Sequence, residues 1–265
     1  NGNASQIGPT EPLLFERNDE KNLTFNSHLQ LSLQLTHNLH LAALGSYSYT
    51  STENGRFAPT WVWAHGLAYR GERKTEDILG NISLDWKYRW EINKLSTTIL
   101  AEYQKKKIAA FWTQVKGLTN NYFGYDNLGA ASDRPYGGTG SSYADPSLTS
   151  FMGTLTYTLL DRYTLNLTTR ADGSSMVGKD HTWGIFPSIS ATWDMKKESF
   201  LRNNKSISLL NLRTGYGRSG NLGGISSYLT LRQYIPVGLI SYNGTPTVTM
   251  GTLRNSNPDL RWETR

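Results

Sequence analysis

The stretch that decides the fold is residues 23–35, which read Leu-Thr-Phe-Asn-Ser-His-Leu-Gln-Leu-Ser-Leu-Gln-Leu. Apart from Ser27, the odd positions are apolar, and every even position is polar. Successive side chains of an extended strand point to opposite faces, so this alternation predicts a β-strand with one apolar and one polar face. After a short turn at 36–38 the alternation resumes over 39–49, which predicts a hairpin.

The same alternation recurs along most of the chain. It predicts further strands at 82–90, 95–103, 151–159, 163–169, 185–193 and 210–216, with a weaker ninth candidate at 228–235. Between the strands, tiny turns near 37, 92 and 161 alternate with segments rich in Gly, Asn, Ser and Pro at 51–77, 107–148, 173–182 and 218–257. Short turns on one side and long loops on the other are typical of outer-membrane β-barrels, whose short turns face the periplasm.

Composition narrows the class of protein. No run of 18 or more apolar residues occurs in the sequence, which excludes a transmembrane helix. The 15 Tyr and 8 Trp suit the aromatic rims of a barrel, and the absence of Cys excludes disulfides and thiolate metal sites. The net charge of +6 comes from scattered Lys and Arg without a basic helix or an aromatic RNA-binding motif, so no nucleic-acid partner is expected.

The chemistry of the polar faces favours a barrel over a soluble sheet. The polar face of the strand at 163–169 carries Thr164, Asn166 and Thr168, whereas charge is concentrated in turns such as 196–205. Small uncharged side chains suit an enclosed polar lumen behind a wall of lipid-facing apolar residues. Alternation alone leaves open a soluble β-sandwich binding module, whose aromatic residues would fill a core.

The two ends of the sequence suggest part of a larger protein. The chain opens on a polar stretch without a signal peptide and stops abruptly at 263–265, so we expect a fragment or a processed product. Residues 257–264 read as a loop that enters another strand. We therefore predict that residues 1–265 form one segment of an incomplete, antiparallel transmembrane β-barrel with about eight to nine strands.

Several motifs in the second half of the chain occur in a distinctive order. They are 170–175 with Gly178, 183–188 with Ala191 and Trp193, 198–201, 212–221 and 257–263. The residues that carry these motifs most clearly are Arg170, Asp172, Gly173, Trp183, Pro187, Gly220, Asn221, Asn257, Pro258, Asp259 and Trp262. In this order and spacing the chain resembles the barrel of the SusC/RagA family of TonB-dependent outer-membrane transporters. The specific resemblance covers 149–265, and 20–107 match only in strand pattern.

The resemblance implies a location and a function. Members of this family form a barrel of about 22 strands in the bacterial outer membrane. The resemblance further implies an N-terminal plug energised through the TonB complex, a SusD-like surface lipoprotein as partner, and oligosaccharide or peptide substrates. We expect the plug, the TonB-contacting segment and the last strands to lie outside residues 1–265, which the resemblance makes a segment of the barrel domain. No cofactor is implied.

Aromatic residues in the long segments supply the candidate substrate-binding residues. Their flat, amphipathic rings suit sugars or peptides. The candidates are Trp61, Trp63, Trp112, Tyr122, Phe123 and Tyr125. The same side chains could instead pack the loops or contact a lid protein, and the sequence leaves these two alternatives open.

Patterns typical of catalysis or metal binding are missing from the sequence. The five His form no His-Glu-x-x-His pattern, and neither a Gly-x-Ser-x-Gly elbow nor a carboxylate pair is recognisable, so we expect no enzyme and no metal site. Asp172 and Asp180 lack the spacing of an EF-hand, and a tight turn at Asp172-Gly173 is the favoured interpretation. The competing functions are a passive porin or structural barrel without a plug, a barrel enzyme, and a soluble binding module.

Overall fold

The computed structural model describes Thr10 and residues 14–63, 65–135 and 137–265. These ranges contain thirteen strands and three short 3-10 helices. The strands are β1 (Arg17–Thr36), β2 (Leu39–Ala58), β3 (Leu67–Trp90), β4 (Asn93–Lys116), β5 (Thr139–Ala144), β6 (Ser147–Leu159), β7 (Tyr163–Ser174), β8 (Trp183–Asp194), β9 (Asn211–Gly217), β10 (Gly220–Asn221), β11 (Gln233–Tyr242), β12 (Thr245–Arg254) and β13 (Glu263–Thr264). The 3-10 helices are Leu128–Ala130, Lys179–His181 and Met195–Lys197.

One nine-stranded sheet dominates the fold. Its strands follow the order β1-β2-β3-β4-β6-β7-β8-β9, and β5 pairs with β4 beside β6. Each strand from β4 to β9 pairs antiparallel with its neighbour in this order. Two further two-stranded sheets join β10 to β13 and β11 to β12. The predicted all-β antiparallel architecture is confirmed.

The first eight predicted strands are all present, but several are longer than the alternation indicated. The segment 51–77 was predicted to be a loop, yet β2 extends to Ala58 and β3 begins at Leu67. Likewise β4 runs to Lys116 and includes the first ten residues of the loop predicted from 107. Apolar alternation is imposed only where one face meets apolar surroundings, so a strand that continues into water loses the pattern without losing its backbone pairing.

The ninth predicted strand is misplaced. Residues 228–232 are not extended, and the strand begins at Gln233. It forms a hairpin with β12 through Asn243 and Gly244, whose φ angles are 51° and 76°. Positive φ at both turn positions is what Asn-Gly supplies in a two-residue hairpin. The predicted long loop at 218–257 therefore contains a complete hairpin.

The predicted tight turn at Asp172-Gly173 is wrong. Both residues lie inside β7, and Gly173 faces Trp183 of β8 in register. A Cβ atom on Gly173 would come within 2.9 Å of the Trp183 ring. The glycine is thus required for close approach of an aromatic ring rather than for a reversal of the chain.

The chain divides into two compact units, and β1 to β4 contribute residues to both. One unit contains 1–27, 47–78 and 106–145, and its buried apolar cluster is Ala68, Val115 and Ala131. The other contains 28–46, 79–105 and 146–265. No helix in the described part of the chain is both long enough and apolar enough to cross a bilayer.

The apolar face of the nine-stranded sheet is exposed. The leucines of β1 at positions 29, 31, 33 and 35 are 51–66% exposed, and Ile99, Phe151, Ile185 and Ile189 are exposed as well. A soluble β-sandwich would bury such a face against a second sheet. An uncovered apolar face on a sheet of this size suits contact with lipid.

Candidate functional site

The outward residues of β8 span a height that matches the apolar part of an outer-membrane bilayer. Its outward residues run from Trp183 through Ile185, Pro187, Ile189 and Ala191 to Trp193. Ten residues at about 3.3 Å per residue span about 33 Å along the strand. A strand tilted by about 40° rises about 25 Å over that length, which is the height of the apolar band in outer-membrane barrels. The two tryptophans therefore lie where the aromatic rims of a barrel belong.

Stacked rings form one of these rims beside the short turns. Trp86, Tyr88 and Trp90 stack in succession along β3, with centroids 5.7 and 5.5 Å apart. Trp90 also contacts Tyr157, and Tyr163 stacks on Trp193 at 6.3 Å. Rings that are apolar in the body and polar at the edge prefer the boundary between lipid and water. These rings lie at the ends of β3, β6, β7 and β8 beside the short turns, where such a rim is expected.

The polar face is held together by hydrogen bonds between neighbouring strands. Thr154 pairs with Thr168, and the Thr156 hydroxyl donates to Asn166, whose amide in turn donates to Ser190. These residues are direct cross-strand neighbours in β6, β7 and β8. Small polar side chains thus satisfy one another on the wall that faces away from the apolar surface.

A partly buried charged cluster lies further along the same polar face. The Arg170 guanidinium donates to Asp172 at 2.7 Å and to Ser150 at 2.9 Å, and lies 3.4 Å from Glu102. Glu102, Ser150 and Asp172 are direct neighbours across β4, β6 and β7, and Ser150 is fully buried. One cation between two carboxylates fixes the relative positions of three strands. Arg170 and Asp172 were identified from the sequence, whereas Glu102 and Ser150 were not.

The other motif residues meet where the end of the chain packs against β8. The Trp262 indole donates to the Thr182 carbonyl at 3.1 Å, and its ring contacts Phe186 edge-on at 5.3 Å. The Gly178 amide donates to the Leu260 carbonyl at 2.7 Å, and a Cβ on Gly178 would overlap the Pro258 carbonyl.

Two motif residues of β10 complete this arrangement. Gly220 pairs with Thr264, and a Cβ on Gly220 would overlap the Phe186 ring. The Asn221 amide donates to Glu263 at 3.0 Å. Among the remaining motif residues, Pro187 pairs with Thr169 in the β7–β8 ladder, and Asn257 starts the tight bend to Leu260 that includes Pro258 and the exposed Asp259. Trp262, Pro258 and Gly220 therefore meet in one packed corner of the fold.

Two loops that carry candidate aromatic residues are tied to each other. The loop 59–66 follows β2, and 117–138 follows β4. Asn121 accepts from the Thr60 amide at 3.0 Å and donates to the Thr60 hydroxyl at 3.1 Å. The His65 carbonyl accepts from the amides of Gly117 and Leu118. The two loops thus present their side chains from one joined platform.

The platform exposes four of the six predicted substrate-binding residues. Trp61, Trp63 and Phe123 are about half exposed, and Tyr122 is 89% exposed. Tyr122 and Phe123 contact each other edge-on at 5.1 Å, and Trp61 contacts Phe15 at 6.1 Å. Exposed rings grouped in this way can stack on a flat ligand face or on an aromatic partner surface.

Trp112 and Tyr125 are placed differently from the other four. Trp112 was predicted to lie in a loop, but it belongs to β4, where it stacks on Tyr69 at 6.5 Å and lies over Gly140. The Tyr125 hydroxyl donates to Asp19, and the Arg17 guanidinium lies 4.9 Å from the Tyr125 ring centre. Both rings therefore make contacts within the chain that the four exposed rings do not.

Glu16 is part of the platform although the sequence did not point to it. It accepts a hydrogen bond from the Trp63 indole at 2.6 Å and pairs with Arg56 at 3.0 Å. The indole N–H and then the Arg56 guanidinium hold the pKa of the Glu16 carboxyl below its ordinary value. Glu16 therefore orients Trp63 as an anion throughout the neutral range. A single acidic residue before a strand belongs to no periodic pattern, so nothing in the sequence singled out Glu16.

A serine, a histidine and an aspartate also converge on the polar face. The Ser32 hydroxyl lies 2.6 Å from His40 Nε2, but His40 Nδ1 is 3.9 Å from Asp85. Asp85 instead accepts a hydrogen bond from Thr98. A catalytic triad needs the carboxylate to hold the imidazole at hydrogen-bond distance, so this group is a cross-strand polar contact. Within the described ranges no three His, Cys, Asp or Glu lie close enough to hold a metal ion.

An exposed apolar band bounded by aromatic rims, a polar inner face and consecutive antiparallel strands define an outer-membrane β-barrel. The chain matches the profile of the family described as "TonB dependent receptor-like, beta-barrel" across residues 2–265. The chain belongs to this family, and its location is the bacterial outer membrane.

Relatives of known sequence agree with this assignment. TonB-dependent receptor P3 of Formosa agariphila is 30% identical over 253 residues, which cover 91% of this chain and 24% of that protein. TonB-dependent receptor P26 of the same organism is 35% identical over 62% of this chain and 16% of its own length. TonB-dependent receptor SusC of Bacteroides thetaiotaomicron is 45% identical over 87 residues, 32% of this chain and 9% of that receptor. The chain thus spans a quarter or less of these relatives.

A solved structure shares the fold. The structure of the RagAB peptide transporter superposes with a TM-score of 0.79 at 19% identity, over 95% of this chain and 28% of that chain. A similarity at this level of identity concerns the fold alone. This chain therefore has the fold of about a quarter of that transporter chain.

Proposed function

We propose that the protein to which this chain belongs imports oligosaccharides or peptides across the outer membrane in a TonB-dependent manner, with a SusD-like lipoprotein at its surface. The observation that carries the proposal is the platform of exposed rings on the joined loops 59–66 and 117–138. Loops that follow the longest strands of a barrel extend furthest from the lipid and meet substrates first.

The platform supports ligand capture for two reasons. Its large aromatic rings are exposed, although the exposure of such rings to water is unfavourable. Exposed apolar side chains of this kind are typical of surfaces that bind a ligand or a partner. The loops are also fixed by Asn121, Thr60 and His65, so binding costs little conformational entropy. The relatives carry names that support uptake, since one is a TonB-dependent receptor called SusC and another is a peptide transporter.

The test uses the full-length receptor in its bacterial host. Replacing Trp61, Trp63, Tyr122 and Phe123 with Ala should abolish growth on the receptor's oligosaccharide or peptide substrate, while the amount of folded barrel stays unchanged. Phe200→Ala, which removes an exposed ring beside a short turn, should leave growth intact. Uptake that persists in a strain without TonB would contradict the proposal and favour a passive porin.

The same variants separate substrate capture from partner binding. If the rings contact substrate, the receptor should still co-purify with its surface lipoprotein after the substitutions. If they contact the lipoprotein, that complex should be lost, and the substrate should still bind to the receptor alone.

A further inference from the structure

The apolar face of the main sheet is hollowed beside the short turns. A depression of about 280 Å³ lies over β6 to β9. Its lining includes two neighbouring cross-strand rows, one nearer the turns than the other. They are Tyr163, Trp193 and Leu212 on the turn side, and Leu165, Ala191 and Thr214 behind them. We refer to this depression as the rim recess, because it adjoins the aromatic rim.

Short side chains create the rim recess. Ala191 and Thr214 are direct partners across β8 and β9. The partner pairs two residues before and after them on these strands are large and share their face of the sheet. Those pairs are Trp193 with Leu212 on the turn side, and Ile189 with Tyr216 on the other. A small pair between two large pairs leaves a hollow in an otherwise apolar wall.

Glu198 fastens the segment after β8 to the rim on the lipid side. Its carboxylate accepts hydrogen bonds from the Tyr163 hydroxyl at 2.6 Å and from the Trp193 indole at 3.0 Å. Both rings line the rim recess, so their polar edges lie between the recess and this segment. A bilayer surface has the same order, since its hydrocarbon is followed by an interfacial layer and then by charged headgroups.

The segment beyond the rim is cationic. Residues 194–205 contain four cations and two carboxylates, which gives a net charge of +2. The Lys196 ammonium donates to three backbone carbonyls within 201–204, which holds this turn at the end of β8. Arg202 and Lys205 are exposed, and their side chains form no hydrogen bond or ion pair with any described residue. These two cations are therefore available to an anion beside the rim.

The position of these groups indicates the anion. In outer-membrane barrels the short turns face the periplasm, and the bilayer leaflet on that side consists of glycerophospholipids. Trp193 ends the apolar band of β8, so the rim recess lies at the depth of the acyl chains and residues 201–205 lie beyond it, towards the phosphate groups. Arg and Lys form strong, charge-assisted hydrogen bonds with phosphate oxygens. A molecule that combines a hydrocarbon chain with a phosphate matches both parts.

We propose that the rim recess and the two free cations form one binding site for a glycerophospholipid of the periplasmic leaflet. One acyl chain occupies the hollow over Ala191 and Thr214, and the phosphate contacts Arg202 and Lys205. The site retains a single lipid more firmly than the rest of the apolar face does. It depends on the membrane location of the barrel and not on the substrate that the receptor imports.

The first experiment tests the hollow in the full-length receptor, purified in a non-ionic detergent. Native mass spectrometry during a titration with phosphatidylglycerol should show one lipid that stays bound at detergent concentrations that remove all others. Ala191→Leu with Thr214→Leu fills the recess and should lower the occupancy of this lipid about fivefold or more. The matched control is Gly153→Leu, which adds a similar side chain to open space elsewhere on the apolar face and should leave the occupancy unchanged.

The second experiment tests the charge. Arg202→Gln with Lys205→Gln should raise the dissociation constant of phosphatidylglycerol about fivefold or more, since each cation beside a lipid surface contributes a factor of about five. Arg232→Gln with Arg254→Gln, two exposed cations outside the turn, should not change it. Diacylglycerol, which lacks the phosphate, should bind the unchanged receptor and the Arg202/Lys205 variant equally weakly. Heat-modifiable migration reports folding of every variant.

Three outcomes would overturn the proposal. One is a folded receptor that retains no phosphatidylglycerol once the other lipids are removed. Another is a retained lipid whose binding is unaffected by filling the recess or by removing the two cations, or is weakened equally by Gly153→Leu. The last is displacement of the lipid by inorganic phosphate, which would show that the cations bind a free anion and that the hollow holds no chain.

Discussion

At the scale of single residues, the face of the sheet on which a side chain lies decides which substitutions its position tolerates. Leu31 and Gln30 are neighbours within the alternating stretch of β1, and Leu31 belongs to the exposed apolar face while Gln30 belongs to the polar face. A cation on the lipid face near the bilayer centre costs about 2–4 kcal/mol, whereas a cation on the lumen wall keeps contact with water.

Leu31→Arg should therefore reduce the amount of assembled full-length receptor in the outer membrane, and Gln30→Arg should leave it nearly unchanged. Heat-modifiable migration of membrane fractions measures the assembled form. A stronger defect from Gln30→Arg would show that the two faces are assigned the wrong way round.

Glu198 shows how one carboxylate can join three residues beside a short turn. It accepts hydrogen bonds from the Tyr163 hydroxyl at 2.6 Å, the Trp193 indole at 3.0 Å and the Arg162 guanidinium at 3.1 Å. The hydroxyl of Tyr163, then the indole and the guanidinium, lower the pKa of Glu198 from its ordinary value. These contacts connect the aromatic rim to the turn that follows β8.

The lowered pKa makes this contribution to stability dependent on pH. A carboxyl group with a depressed pKa stabilises the folded state fully above its ordinary pKa of about 4.3, and this is lost as the pH falls through the folded-state value. Glu198→Gln should thus lower the thermal midpoint of the full-length receptor at pH 7, and the difference should shrink below about pH 4.3. The control is Asp259→Asn at an exposed carboxylate, which should show no such trend. A difference in thermal midpoint for Glu198→Gln that stays constant with pH would contradict the mechanism.

At the scale of elements, the turns of two hairpins differ in how well their residues suit the backbone conformation. Leu160 and Asp161 have φ angles of 55° and 57°, and Asn243 and Gly244 have φ angles of 51° and 76°. Positive φ is unfavourable for a leucine by about 1–2 kcal/mol, whereas asparagine adopts it readily. The hairpin of β6 and β7 therefore contains backbone strain that the hairpin of β11 and β12 does not.

An exchange of these residues should have opposite effects. Leu160→Asn should stabilise the first hairpin by about 0.5–1 kcal/mol, and Asn243→Leu should destabilise the second by a similar amount. Amide hydrogen exchange in each hairpin of the full-length receptor measures the change locally. Slower exchange around position 243 in the Asn243→Leu variant than in the unchanged receptor would be inconsistent with strain at this position.

How far the elements could be predicted depends on what each face contacts. The alternation of apolar and polar residues located the strand segments within the apolar band, because contact with lipid imposes the pattern there. It missed the ends of β2, β3 and β4, which lie beyond that band. The Asn243-Gly244 hairpin could have been predicted from its turn residues. The same pair at Asn54-Gly55 lies inside β2, where a Cβ on Gly55 would overlap the Tyr125 ring. A turn signal of two residues cannot reveal a tertiary contact of that kind.

The candidate site was predictable in residue type and only partly in position. Aromatic enrichment pointed to Trp61, Trp63, Tyr122 and Phe123, which are exposed on the joined loops. It also pointed to Tyr125, whose partners Asp19 and Arg17 are more than 100 residues away in sequence. Whether a ring is exposed depends on such distant contacts, and no local pattern records them.

At the scale of the whole molecule, the order of the strands limits what this polypeptide can do alone. The main sheet begins at β1 and ends at β9, and within the described ranges these two strands are not paired with each other. Each leaves a row of backbone N–H and C=O groups without a partner strand on one side. In lipid each such group costs several kcal/mol, which is why membrane barrels are closed.

Closure of this sheet on itself would not remove the difficulty. A barrel of about eight strands has an interior just wide enough to be filled by side chains. The inner wall here carries small groups such as Thr154, Thr156, Ser188 and Ser190, so a barrel of that size would contain voids or water instead of a packed interior. The polar wall suits a wider lumen than eight strands enclose.

The 265-residue polypeptide by itself should therefore fail to form a stable monomeric barrel. On refolding into detergent it should aggregate, or migrate on unheated gels without a discrete, heat-modifiable band, although circular dichroism detects β-structure. The full-length receptor, refolded in the same way, is the control and should give such a band. A compact monomer of the short polypeptide with a cooperative thermal transition would show that these strands close on themselves, because only a closed sheet satisfies every backbone group in an apolar solvent.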